Sequence, residues 1–232
     1  MRLIKQLKLL TFQVIVSLIF LNIQISFAQK AEMPKASIQD WKGFYAGVIA
    51  ETNKTTVKNK IANYSADYQP DTNSSFNEAG LKVGYNFLIE NFIIGIEGKK
   101  TFYDSNKLVC MDPIHSSEEL YCLKNGNYQS LILKAGIPFD QFLVYSKAGF
   151  VEKEFKQIGY YNLNLTPILA VQNHTFNGDV WGFGIDYMYA KNFIVGFEFE
   201  AQNFKDKTLM YGGPNTLSPN SKIFSLSGSY KF

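Results

Sequence analysis

Charged side chains sit at alternate positions inside apolar stretches of this 232-residue sequence, and these are the residues whose types and spacing could do chemistry. Nine of them share the less apolar face of their stretches: Glu51, Lys82, Glu97, Lys99, Lys134, Lys147, Asp186, Glu198 and Glu200. Because a buried charge needs a partner, the expected chemistry is mutual ion pairing among four cations and five anions. A structural role is favoured over transport or catalysis.

The stretches that position these charges follow a period of two, which is typical of strands rather than helices. Eight such segments occur: 42–52, 78–88, 92–103, 128–137, 142–151, 180–188, 193–202 and 223–232. An even number of strands suits a closed antiparallel barrel of the bacterial outer-membrane kind. The pattern therefore predicts an all-β fold, an eight-stranded antiparallel up-and-down barrel.

The connections between the segments alternate in length. Three are short, at 89–91, 138–141 and 189–192, and four are long, at 53–77, 104–127, 152–179 and 203–222. Short periplasmic turns and long extracellular loops are the arrangement of outer-membrane barrels. The apolar residues of 154–161 and 168–176 indicate that strands extend into one long connection.

Alternation alone leaves two topologies open, because a soluble lipocalin-like barrel turns its apolar face inward and a membrane barrel turns it outward. Nine glycines on the polar face favour the second, since a narrow lumen needs small residues. They are Gly47, Gly80, Gly84, Gly95, Gly136, Gly149, Gly182, Gly184 and Gly196. Aromatic residues near the ends of the apolar face, such as Phe87 and Phe150, match the girdles of membrane barrels.

An eight-stranded barrel is only wide enough to be filled by its own side chains. We therefore expect the nine charged residues to plug the lumen as an ion-pair network. Rearrangement of these pairs into a narrow conducting path is the alternative, so that a pore for small solutes stays open as a function.

Residues 1–28 have a basic start, an apolar stretch and a Ser26-Phe27-Ala28 end, the three parts of a cleaved signal peptide. A membrane-anchoring helix is the weaker alternative, because polar residues interrupt the stretch. We expect a periplasmic tail at 29–40 and a barrel domain at 41–232. Three of the 23 cations precede residue 9, which leaves 20 cations and 20 acids beyond residue 28. This neutrality argues against a nucleic-acid partner.

Cys110 and Cys122 are the only cysteines and lie in the second long connection. In an exported chain two such residues indicate a disulfide, with free thiols as the alternative. His115 and His174 lie in separate long connections, so we expect no metal or other cofactor. No spaced set of serine, histidine and acid is evident, and we expect no enzyme activity.

Four motifs carry a resemblance to a known family: WKGFYAG at 41–47, NFIIGIEG at 91–98, GFGIDY at 182–187 followed by NF at 192–193, and GSYKF at 228–232. The chain resembles the small eight-stranded bacterial outer-membrane barrels of the OmpA/OmpX type, and among these the porin-like surface-antigen subgroup of alphaproteobacteria. The resemblance implies that Gly228, Tyr230 and Phe232 form the signal for the outer-membrane assembly machinery.

These observations together predict an outer-membrane protein with a role in envelope integrity and surface display. Its expected partners are outer-membrane lipid, lipopolysaccharide and the assembly machinery. A binding or adhesin function through the long loops, toward an unidentified extracellular ligand, is the alternative.

Overall fold

The computed structural model describes residues 36–61, 72–102, 108–111, 119–161, 166–210 and 214–232. Within them, the side chains of 59–61, 72–74, 108–111, 119–123, 159–161, 166–171, 209–210 and 214–215 are not described. The expected signal peptide at 1–28, most of the expected tail at 29–40, and His115 lie outside the described residues.

A short 3-10 helix, Ile38–Trp41, precedes ten strands in the described part of the chain. The strands are β1 (Gly43–Ile61), β2 (Thr72–Ile89), β3 (Phe92–Thr101), β4 (Leu108–Met111), β5 (Glu119–Phe139), β6 (Phe142–Tyr161), β7 (Thr166–Ala190), β8 (Phe193–Phe204), β9 (Lys207–Met210) and β10 (Pro214–Lys231).

Eight of these strands form a closed antiparallel ring in the order β1-β2-β3-β5-β6-β7-β8-β10, and β10 pairs back with β1. The ring confirms the predicted all-β, eight-stranded up-and-down barrel. The short strands β4 and β9 pair with β5 and β10 and extend the sheet at one end. Among the described residues, no helix is long and apolar enough to cross a membrane.

The strands run further than the alternating pattern predicts. β5, β6 and β7 contain 21, 20 and 25 residues, although roughly ten tilted residues suffice to cross a bilayer. Residues 154–161, which the sequence marks as an extension, belong to β6. The extra length consists of neighbouring strands that stay paired beyond the apolar band, as where Phe155 pairs with His174.

Two-residue turns close the opposite end of the barrel, at Glu90–Asn91, Asp140–Gln141 and Lys191–Asn192. Glu90 and Asp140 adopt positive φ angles of 54° and 50°, the left-handed geometry of the tightest hairpin turns. The predicted short connections are therefore confirmed, slightly shorter than expected. The 3-10 helix and the last residue of β10 lie at this same end, where the backbone N–H of Phe232 donates to Phe44 O.

The apolar residues point outward, as the membrane-barrel topology requires. Phe150 is 75% exposed and Leu133 is 63% exposed, whereas the flanking inward residue Ile132 is fully buried. Folded soluble proteins seldom leave so continuous an apolar surface open. The lipocalin-like alternative, in which this face would be the core, is excluded.

The inner face is not uniformly polar, which the sequence pattern did not predict. Beside the turns lies a buried apolar group, the lower cluster: Trp41, Ile93, Leu143, Tyr145, Met188 and Ile194. Toward the far end lies the upper cluster: Val57, Tyr128, Ile132, Val151, Phe155, Phe176, Val180, Phe204, Leu217 and Ile223. Along β8 the inward residues run from Ile194 through Glu198 to Phe204, so the charged layer lies between two apolar layers.

Two tyrosines of the inner face depend on glycines opposite them. A Cβ at Gly84 would lie 2.4 Å from the Tyr45 Oη, and one at Gly184 would lie 2.6 Å from the Tyr145 Oη. Both distances are far below van der Waals contact. These glycines therefore make the space in which the two phenol rings cross the lumen, as the glycine pattern predicts for a narrow barrel.

Gly84→Ala should destabilise the barrel by about 1–3 kcal/mol, because the added methyl overpacks the space beside Tyr45. The ring has little freedom to retreat, since its hydroxyl donates to Glu97 Oε2 at 2.7 Å. Urea unfolding of the refolded protein in lipid vesicles measures the loss. Gly228→Ala is the control, because a Cβ there meets no atom within 4 Å. Equal unfolding midpoints for the two variants would contradict this account.

Candidate functional site

The candidate site is the charged layer inside the barrel. All nine residues singled out from the sequence are buried, with at most 4% of any side chain exposed. β1, β2, β3, β5, β6, β7 and β8 each supply at least one of them. β10 supplies Ser225, whose hydroxyl donates to Glu51 Oε1 at 2.8 Å. Every strand of the ring therefore contributes a polar group to the network.

Glu198 is the centre of the network. Its carboxylate lies 2.9 Å from Lys82 Nζ and 3.5 Å from Lys99 Nζ, and it also contacts Lys147 Nζ. Lys99 is the matching cation, because its Nζ lies 2.9 Å from Glu51 Oε1 and 2.6 Å from Glu200 Oε1. Glu198 thus joins cations from three other strands, and Lys99 joins acids from two.

The lower part of the network combines charges with phenol rings. Lys134 Nζ lies 3.6 Å from Asp186 Oδ2. The same ammonium lies 4.5 Å from the centre of the Tyr45 ring and 4.9 Å from that of Tyr145, within the range of cation–π attraction. Tyr145 also donates to Asp186 Oδ1 at 3.3 Å. The aromatic rings thereby replace part of the hydration that the buried lysine has lost.

Most of the ion pairs reach across the lumen rather than along the sheet. The residues directly opposite each other in neighbouring strands carry like charges, Lys82 opposite Lys99 and Lys134 opposite Lys147. Such neighbours repel, and most of their acidic partners come from β1, β7 and β8. Lys82 also lies 3.8 Å from Glu97 of the neighbouring strand β3. One wall of the lumen is mainly cationic and the facing wall is mainly anionic. Attraction between them ties together strands that share no backbone hydrogen bond.

The sequence pattern missed two charges and two phenols of the same lumen. Glu78 and Lys153 are 4% and 0% exposed, and Lys153 Nζ lies 3.8 Å from Glu78 Oε1. Both stand at inward alternate positions, but Glu78 begins its predicted segment and Lys153 follows the end of another. Extending the predicted segment 142–151 by two residues at its C-terminal end would have included Lys153. Tyr128 is a third addition, with its hydroxyl donating to Glu51 Oε2 at 2.5 Å, and Tyr45 is the fourth.

The other residues considered for chemistry do not join this layer. His174 lies in the part of β7 beyond the apolar band, where its Nε2 is 3.0 Å from Gln157 Oε1. Partial burial, and then the charge of Lys207, lower the pKa of His174 below its usual value. In the described ranges, no group of three or more histidine, cysteine, aspartate or glutamate residues is placed to hold a metal ion.

The two cysteines are placed by backbone alone, because their side chains are not among those described. Cys110 on β4 stands directly opposite Cys122 on β5 in the antiparallel register. The predicted disulfide therefore has a compatible backbone and remains a prediction.

The C-terminal residues of the expected assembly signal lie on the outer wall. Tyr230 and Phe232 are 44% and 68% exposed, and their rings pack with centroids 5.2 Å apart. Gly228 occupies the same outward face two residues earlier. Exposed aromatic rings at this position are compatible with recognition by another protein and equally with lipid contact.

The ring of eight strands, its apolar outer wall and its charged interior define a transmembrane β-barrel. The chain belongs to the family described as the outer membrane protein beta-barrel domain, whose model matches residues 26–232. The protein is therefore an outer-membrane barrel. The alphaproteobacterial subgroup suggested by the motifs remains a prediction, and no curated protein matches the chain.

Solved structures of outer-membrane proteins resemble the chain at low identity. Pseudomonas aeruginosa OprG matches with a TM-score of 0.53 and 13% identity, over 84% of this chain and 99% of OprG. The Escherichia coli outer membrane protease OmpT matches at 0.46 and 12%, over 82% and 97% of the two chains. Yersinia pestis Ail, crystallised with the heparin analogue sucrose octasulfate, matches at 0.40 and 12%, over 82% and 99%. The likeness to OprG shows the fold alone.

Glu198→Gln should lower the free energy of unfolding by about 3–5 kcal/mol, because removing one partner of an ion pair leaves buried charges unpaired. Denaturant unfolding of the refolded barrel gives the value. Glu152→Gln is the matched control: Glu152 is exposed on the outer face and accepts a hydrogen bond from Gln129 at 2.9 Å, so the loss there should stay below about 1 kcal/mol. A Glu198 variant as stable as the control would show that the network does not hold the barrel.

Proposed function

We propose that this protein is a structural barrel of the outer membrane that supports envelope integrity and displays its far end on the cell surface. The observation that carries the proposal is the filled lumen. The lower and upper clusters close both ends of the charged layer, and ion pairs fill the space between them. A lumen packed in this way favours a structural role over the conduction of solutes.

Export and assembly complete the proposal. We infer that residues 1–28 are a signal peptide removed after Ala28, and that the assembly machinery recognises Gly228, Tyr230 and Phe232. The outward position of the last two aromatics supports this role, since a docking partner could reach them before the ring closes. Outer-membrane lipid and lipopolysaccharide would then be the permanent surroundings of the apolar wall.

A closed lumen predicts that the refolded wild-type protein conducts no steady ion current in a planar bilayer and does not speed the swelling of liposomes in small sugars. The double variant Trp41→Ala with Ile93→Ala serves as the comparison with a more open lumen, because both side chains are fully buried in the lower cluster. Heat-modifiable gel mobility confirms that each sample is folded. If liposomes that contain the folded wild-type protein swell as fast as those that contain a general porin, the structural proposal is overturned in favour of the pore.

Binding through the surface end is the second candidate function, and the length of the strands favours it. β6 and β7 remain paired from Val151–Gly178 to Tyr161–Thr166, so the barrel continues as an ordered sheet beyond the outward apolar band. An ordered surface presents ligand-binding side chains in fixed positions. A deletion strain tested for detergent sensitivity and for adhesion separates the candidates: a scaffold predicts the first defect, a binding protein the second.

The cysteine register supports a disulfide that locks the β4–β5 hairpin. Residues directly opposite in an antiparallel pair have Cα atoms about 4.5–5.5 Å apart, within the range that a disulfide spans. We predict that a maleimide-polyethylene glycol reagent labels neither Cys110 nor Cys122 in the protein isolated from cells until it is reduced. Cys110→Ser should expose Cys122 to labelling without reductant. Labelling of both thiols in the unreduced wild-type protein would exclude the bond.

A further inference from the structure

We propose that the charged layer of the lumen binds one monovalent metal cation of the sodium class between Glu200 and Gln202 of β8, a place called here the Glu200 site. The scarcity of histidine and cysteine argues against a transition metal, but a hard cation needs neither residue, because it binds oxygen ligands. The inference goes beyond the proposed structural function and does not depend on it, since a bound cation is compatible with a closed or a conducting lumen.

The buried charges of the lumen do not balance. The nine residues singled out from the sequence comprise four lysines and five acids, and Lys153 and Glu78 add one of each. The described part of the chain therefore buries five cations and six anions in the lumen, each with at most 4% of its surface exposed. A charge that is removed from water without compensation is strongly unfavourable. One bound cation of single charge would neutralise the excess.

The excess lies in the central part of the network. Two pairs stand apart from it, because Lys134 lies 3.6 Å from Asp186 and Lys153 lies 3.8 Å from Glu78. Three lysines then remain for four glutamates. The lysines are Lys82, Lys99 and Lys147, and the glutamates are Glu51, Glu97, Glu198 and Glu200.

Glu200 carries the carboxylate oxygen that this shortage of cations leaves without a partner. Its Oε1 lies 2.6 Å from both Lys99 Nζ and Lys147 Nζ. Its Oε2 is buried and accepts no hydrogen bond from a described residue. Two ammonium groups beside one carboxylate favour its ionised form, so that a metal cation is favoured over a proton as the neutralising charge.

Gln202 is a second unpartnered group at the same place, and it is independent of the charge count. It is the next inward residue of β8 after Glu200 and is fully buried, yet neither its Oε1 nor its Nε2 has a hydrogen-bond partner among the described residues. Such a buried amide is rare, because its lost contacts with water are not replaced. Alternate residues of a strand have Cα atoms about 6.6 Å apart, so Glu200 Oε2 and Gln202 Oε1 are near enough to bind the same ion.

Buried hydroxyl groups lie beside Gln202 and add neutral oxygen atoms. Ser221 stands directly opposite Gln202 in the register of β8 and β10, and its Oγ lies 2.8 Å from Thr55 Oγ1. One carboxylate with amide and hydroxyl oxygens suits a hard cation of single charge. A divalent ion would replace the excess negative charge by an excess positive charge.

The dependence of stability on sodium tests the site. The full chain is refolded in vesicles of phosphatidylcholine, whose headgroup has no net charge, and is unfolded in urea while sodium chloride replaces choline chloride at constant ionic strength and pH. A ligand that binds only the folded state stabilises it by mass action, so the folding equilibrium constant of the wild-type protein should rise about tenfold for each tenfold rise in sodium concentration above the dissociation constant. A wild-type stability that does not respond to sodium would overturn the proposal.

Two variants test the two ligands separately. Glu200→Gln removes the excess charge and should abolish the sodium response. Gln202→Met keeps the charge and the bulk but removes the amide oxygen, and it should raise the sodium concentration at which stabilisation begins about tenfold. Glu152→Gln and Gln129→Met are the matched controls, because they change the same groups on the outer face, and both should keep the wild-type response. Heat-modifiable mobility shows which variants are folded, and Gln202→Met decides the question if Glu200→Gln does not fold.

A wild-type sodium response that both controls keep, and that the Glu200 and Gln202 variants lose or weaken, supports the proposal. An unchanged response in Gln202→Met, or a lost response in either control, would overturn the Glu200 site. Stability that ignores sodium but falls as the pH rises, in the wild-type protein and not in Glu200→Gln, would assign the neutralising charge to a proton and overturn the metal cation.

The position of the ion is tested in crystals of the wild-type barrel refolded in thallium(I) acetate, because thallium(I) replaces alkali cations and scatters X-rays anomalously. An anomalous peak between Glu200 Oε2 and Gln202 Oε1 is the expected result. A lumen without such a peak, or with a peak at another place, would overturn the assignment.

Discussion

The structure depends on the attraction between opposite charges that are buried in the lumen. Backbone hydrogen bonds join each strand to its two neighbours, but they join the far walls of the ring only through the whole circumference. The contacts of Glu198 with Lys82, Lys99 and Lys147 connect these walls directly. Burying so many charges carries a large desolvation cost. The network is therefore better understood as a device for a unique register than as a surplus of stability.

Register matters in this barrel because the period of a strand is two. A slip of one residue between any two strands would turn a lysine or glutamate toward lipid and an apolar residue toward the lumen. Every strand of the ring places a polar group in the charged layer, so a slip at any seam breaks an ion pair or a hydrogen bond. Like charges directly opposite each other, as Lys134 and Lys147 are, would be unfavourable without the acids of the facing wall. The same layer thereby links closure of the ring to closure of the lumen.

The period-two pattern predicted the ring, its short turns and the direction of its faces, because successive residues of a strand point to opposite faces of the sheet and their polarity indicates which face is which. It also placed all nine charges inside. The partner of each charge could not be predicted, since pairing depends on which strands face each other across the lumen, as Lys82 of β2 faces Glu198 of β8. The pattern did not predict the lower and upper clusters, because their apolar members interrupt an otherwise polar face. It did not predict Lys153, because β6 continues through residues whose sequence is typical of a loop.

The central claim is that charges from opposite walls interact through the lumen. It is tested most directly by a double-mutant cycle on Lys82 and Glu198, whose Nζ and Oε1 atoms lie 2.9 Å apart. Lys82→Met, Glu198→Gln and the double variant are unfolded in denaturant beside the wild-type barrel. The account predicts a coupling energy of about 1–3 kcal/mol, with the double variant less destabilised than the two single changes would add up to. Strictly additive effects would contradict it, because the two residues would then contribute independently and the walls would not be joined by their charges.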